Sequence, residues 1–98
     1  MARDIIREDA RLIVLRELHA QPDYRLNDNL LQQTLELFGI AKSRDWVREE
    51  LNYLENVGAI TKTIVGTVVV AHLTPKGVEH VERRLVIEGV KRPSPPER

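Results

Sequence analysis

Cysteine is absent from this chain of 98 residues, which excludes a disulfide scaffold, a thiolate zinc site and a cysteine nucleophile together. Neither sign of charge is in excess: 15 Lys and Arg balance 15 Asp and Glu, so no global basic surplus draws the chain to phosphate. Long hydrophobic runs are also missing. The longest uncharged apolar stretch, from Ile64 to Leu73, contains Gly66, Thr67 and His72 and is too short to cross a bilayer. Behind Met1-Ala2-Arg3-Asp4 comes a charged amphipathic segment with no signal-peptide core, so a cytoplasmic protein is expected. Gly-rich phosphate loops, nucleophile elbows and paired-carboxylate clefts are not visible either, and no enzymatic activity and no cofactor are expected. Glu49 and Glu50 are adjacent on a predicted helix and point apart, so they make no acid/base pair.

What is present is an ordinary globular composition. With 42% hydrophobic and 31% charged residues, the chain is expected to fold as one domain over residues 1–89, followed by a flexible, Pro-rich basic tail over 90–98. The first helix is expected from about Asp4 to Ala20. Its face of Ile6, Ala10, Ile13 and Val14 is widened by Leu12, Leu15 and Leu18, a width that suggests a second covered surface. A second helix starts near Asn27 or Asp28, either of which can cap it, and stops at Gly39. Ser43 caps a third helix running to about Asn56, with Val47, Leu51 and Leu54 as its buried seam. The β-branched segments 59–64 and 67–73 flank a short turn at Gly66 and read as a two-stranded antiparallel hairpin. Thr74 and Pro75 then open a fourth helix, with Val78, Val81 and Leu85 facing inward.

Three helices, a hairpin and a closing helix are the parts, in order, of an α+β winged helix-turn-helix domain: a three-helix bundle, a two-stranded wing and a C-terminal helix. The passage from Ser43 to Ile60, a serine-capped helix leaving through Leu54-Glu55-Asn56-Val57-Gly58-Ala59-Ile60, resembles the recognition-helix-to-wing segment of ArsR- and MarR-like transcription factors. Leu73-Thr74-Pro75-Lys76-Gly77 is similar to the "LTxxG" passage that follows the wing in that superfamily. The ending Glu88-Gly89-Val90-Lys91-Arg92-Pro93-Ser94-Pro95 resembles that of small winged-helix proteins of Mu-like phages and prophages. These resemblances imply duplex DNA as partner, and a fold by itself does not fix a function.

On the third helix Arg44, Arg48 and Asn52 fall at i, i+4 and i+8, a line of side chains suited to base edges. Lys42, Ser43 and Lys62 are placed to hold phosphates. Against this, Ser43 to Asn56 carries two arginines and four acidic residues, and the same face reads equally as a solvated surface of mixed charge. The wing tip Val65-Gly66-Thr67 has no cation, and its apolar strand Val68-Val69-Val70-Ala71 could pack on another subunit. Arg3, Arg7, Arg11, Arg16, Lys76, Arg83 and Arg84 read mostly as solvent-facing partners of nearby acids. Tail cations Lys91, Arg92 and Arg98 suit a basic arm or an extended peptide. Trp46 and Tyr53 read as packing or interface aromatics. His19, His72 and His80 lie far apart, so no metal site is expected.

Winged-helix regulators usually dimerise through their first and last helices, and the wide first helix with Val86, Ile87 and Val90 supports a homodimer independently. The expected function is DNA binding as a phage-type regulator or DNA-associated accessory. The alternative is a winged-helix module that binds protein instead. A positive saddle around the third helix would favour the first, and an acidic or apolar face the second.

Overall fold

The computed structural model describes residues 3–95. Among them are α1 (Ile5–His19), β1 (Arg25–Asn27), α2 (Asp28–Leu37), α3 (Arg44–Asn56), β2 (Ile60–Val65), β3 (Val68–Leu73) and α4 (Pro75–Val81). The class is α+β, four helices with a three-stranded antiparallel sheet in the order β1-β3-β2. Local capping chemistry sets most of the boundaries. Asp4, Asn27, Ser43 and Thr74 each accept a backbone N–H from the first turn of the helix that follows, satisfying donors that have no partner within the helix. Thr74 also donates to the Gly58 carbonyl at 2.6 Å, tying the exit of α3 to the start of α4.

The hairpin of β2 and β3 forms where expected, but it is not two-stranded. After a turn in which Tyr24 adopts φ 60°, the chain lays β1 along β3, pairing Leu26 with Ala71 and Asn27 with Val70. This makes β3 the central strand. Both of its edges are therefore paired within the chain, with Ala71 and Leu73 buried and Val68, Val69 and Val70 half-buried.

The wide stripe of α1 is likewise covered by the protein itself. Leu12, Leu15 and Leu18 are buried together with Ala10, Ile13 and Val14, because α1 packs against α2, α3, α4 and β3. Part of the cover comes from the C-terminal segment. The fourth helix stops at Val81 rather than continuing through Leu85, and Arg83 takes a left-handed φ of 66°. The chain then doubles back, burying Ile87 and Val90, and the Lys91 amide donates to the Glu8 carbonyl at 3.1 Å. His80, fully buried, locks this return: its Nδ1 accepts the Ile87 N–H at 3.0 Å, which leaves Nε2–H to donate to the Lys91 carbonyl at 2.9 Å. The expected boundary at residue 89 thus falls inside the packed body, which extends through Lys91. Arg98 lies outside the described residues.

Candidate nucleic-acid interface

Five of the six predicted site residues lie on or at the start of α3 or beside it on the hairpin, and their side chains are already engaged. Asp28, the first residue of α2, is fully buried and receives both arginines. Arg44 donates through Nε at 3.0 Å and Nη2 at 3.2 Å, and Arg48 through Nε at 2.5 Å. The Val69 amide of β3 adds a third donor at 3.2 Å. Nη2 of each arginine also donates to the Thr67 carbonyl at the hairpin tip, at 2.9 and 2.8 Å. One carboxylate and one carbonyl therefore clamp α2, α3 and the hairpin together.

Burial pushes the Asp28 carboxyl up, but the hydrogen bonds from Arg44, Arg48 and Val69 and the charge of Arg48 outweigh it and hold the group at about 2. The Arg44 guanidinium is raised above its usual value, chiefly by its hydrogen bond to Asp28. The two guanidiniums lie between this buried anion and solvent, with their side chains 38% and 37% exposed. Arg44, with Nε and both Nη2 protons occupied, keeps Nη1 free among the described residues, whereas Arg48 keeps Nη1 and one Nη2 proton.

The remaining predicted residues are not gathered into this clamp. Asn52 accepts from Lys62 Nζ, and Lys62 also lies 3.5 Å from Glu55, so the side chains expected on a base and on a phosphate face each other. Ser43 spends its hydroxyl on the Trp46 amide at 3.1 Å as the helix cap. Lys42 lies over the Trp46 ring, with Nζ 5.5 Å from its centroid. The outermost side of α3 carries Asp45, Glu49, Asn52 and Asn56, all exposed.

A second buried carboxylate was not anticipated. Glu50, 1% exposed, holds Arg7 and Arg11 of α1, the latter through Nε at 2.7 Å. Arg11 also donates to the Gly89 carbonyl at 2.8 Å and lies 3.6 Å from the centroid of Tyr53. Arg7 stands over Trp46 at 4.9 Å. These cations join helices instead of facing solvent, and the two aromatics serve as their platforms. A sequence signal for either cluster is faint, since Asp28 and Glu50 meet their arginines only across 16 to 43 residues of chain. Among the described residues no group of three or more His, Asp or Glu is placed to hold a metal ion, and no helix is long and apolar enough to cross a membrane.

The chain is similar to two uncharacterized proteins, one of them from a phage. It is 36% identical over 95 residues to the uncharacterized protein gp26 of Escherichia phage Mu, across 97% of this chain and 98% of that one, and it belongs to the family of that protein. It is also 39% identical over 59 residues to an uncharacterized protein of Haemophilus influenzae, across 60% of this chain and 57% of the other. No family model matches the chain. The resemblance to Mu-like phage proteins read from the tail and length is met by the first relative.

Proposed function

We propose that this chain is a winged-helix protein of phage or prophage origin that contacts duplex DNA at the junction of α3 and the hairpin. It would act in the cytoplasm as a transcriptional regulator or DNA-associated accessory. The order of helices and hairpin supports the winged-helix reading, and the observation that carries the partner is the Arg44–Asp28–Arg48 clamp. Its anion is buried and its two cations are held at the surface, beside the hairpin tip and at the start of α3. Cations fixed in advance lose little freedom when they meet a phosphate. Arg44, left with Nη1 alone, suits a backbone phosphate better than a base edge, so the contact is proposed to be mainly to the backbone and weakly sequence-selective. The homodimer belongs to the same proposal. Leu12, Leu15, Leu18, Ile87 and Val90 are covered within one chain, so it rests on exposed Ile5, Ile6 and Val86.

The exposed carboxylates Asp45 and Glu49 favour a second reading, a module that binds a protein through α3. Amide chemical-shift mapping with a random duplex separates the two. Shifts clustered at residues 42–52 and 66–68 are expected for DNA. Shifts absent there, with the rest of the protein folded, overturn the DNA reading at this face.

A further inference from the structure

Most arginines of this chain are consumed by its own acids: Arg3 by Glu8, Arg7 and Arg11 by Glu50, Arg44 and Arg48 by Asp28, and Arg84 by Glu79 and Glu82. Among the described residues Arg16, Arg25, Arg83 and Arg92 make no ion pair and no side-chain hydrogen bond. Three of these four come together. Arg16 is in the last turn of α1, Arg83 follows α4, and Arg92 follows the docked Val90–Lys91 segment. Each pair of them lines a shared crevice. Arg16 and Arg92 meet with Lys91 and Ser94 around a hollow of about 400 Å³. Arg16 and Arg83 meet with His19 and Pro93 around one of about 550 Å³, and Arg83 and Arg92 share a small cleft against Pro93.

The acids of this region are largely answered. Glu82 is held by His19 at 2.9 Å and by Arg84 at 2.5 Å, which pull its carboxyl below the usual range, and Asp9 faces Lys91 at 3.7 Å. Glu17 is the remaining carboxylate of the crevices. Arg83 is the residue after the α4 C-cap, and its left-handed turn, closed by the Arg84 amide on the Glu79 carbonyl at 2.8 Å, sets it beside Arg16.

We infer that Arg16, Arg83 and Arg92 form a second phosphate-binding surface, sharing no residue with the Asp28 clamp, that engages the backbone of the duplex. The inference rests on the proposed function for the identity of the ligand, not for the surface. Exposed guanidiniums without intramolecular acceptors match phosphate in geometry and charge, and three of them around one short segment suit successive phosphates better than a single ion.

The test is fluorescence anisotropy on a random duplex across about 50 to about 200 mM salt, with the variant R16Q/R83N/R92Q. The replaced side chains have no partners among the described residues and Asn accepts the left-handed backbone, so thermal unfolding should match wild type. The logarithmic salt slope is expected to become shallower by about 3, one for each lost contact. An unchanged slope overturns the inference. Inorganic polyphosphate serves as a second probe. Binding of polyphosphate but not duplex, lost in the variant, keeps the surface and removes the duplex reading, whereas no wild-type binding to either removes the surface. Equal binding of a polyglutamate peptide would assign the surface to acidic protein and overturn phosphate as its ligand.

Discussion

Arg48 lies directly over Asp28, its Nε donating to Oδ2 at 2.5 Å while the carboxylate has no exposure to solvent. The titration of that carboxylate follows from this contact. Its folded value of about 2 is below the ordinary 3.8, so as pH falls the unfolded chain takes up the proton first. The stabilisation, about 2 kcal/mol, is present in full above about 5, falls once pH passes below the ordinary 3.8 and is lost as pH falls through about 2. Urea unfolding of wild type and Asp28→Asn at pH near 6 and near 3 should show their stability gap narrowing in acid. A gap independent of pH would remove Asp28 from this role.

Glu50 ties α1 to α3 through Arg7 and Arg11. Truncation to Ala leaves Arg11, whose side chain is 12% exposed, without its anion, and an expected loss of about 3–5 kcal/mol follows. The double change Arg11→Met/Glu50→Leu should be less damaging than Glu50→Ala alone, because it removes the more buried Arg11 charge and leaves only Arg7, 29% exposed and still beside Asp4 and Glu49. Chemical denaturation of the three proteins checks the order.

A side chain at Gly89 has no room. A Cβ there would stand 1.9 Å from the Tyr53 hydroxyl, on a backbone at φ +81°. Gly89→Ala should cost about 2–4 kcal/mol by clash and strain combined, breaking the bond from Tyr53 to the Glu88 carbonyl. In a Tyr53→Phe background the same change should cost less, measured by thermal unfolding. Equal costs in both backgrounds would place the damage elsewhere.

His80 is expected as the Nε2–H tautomer, since Nδ1 is occupied by the Ile87 amide. Nitrogen-detected NMR reads this directly, and hydrogen exchange at Ile87 should quicken in His80→Ala, which removes the acceptor at a cost of about 1–3 kcal/mol. An unprotected Ile87 amide in the wild-type protein would contradict the bond.

The parts of the fold legible in the sequence are those decided within a few residues. Asn27, Ser43 and Thr74 cap what they were expected to cap, because that chemistry is local. Strand β1 has only three residues, one of them apolar, and exists because β3 offers it a ladder. The spacing of Val78, Val81 and Leu85 continues a helical pattern past the point where burial of Ile87 and Val90 wins. Most of the apolar surface that suggested a partner, on α1 and after α4, is spent within one chain, each part helping to cover the other. Of the site, the line of Arg44 and Arg48 was visible, but not Asp28 beneath it, since a carboxylate is expected outside unless its distant partners are known.

Hairpin tips are ordinarily where a chain accepts extra residues at little cost. Here the Thr67 carbonyl anchors both arginines of α3, and the turn between Val65 and Val68 holds only Gly66 and Thr67. Lengthening that turn by one residue would move the anchor and free the tip from the helix. In this chain, then, the loop's length is set by the arginines two elements away, and an inserted residue there should be tolerated only together with changes at positions 44, 48 or 28.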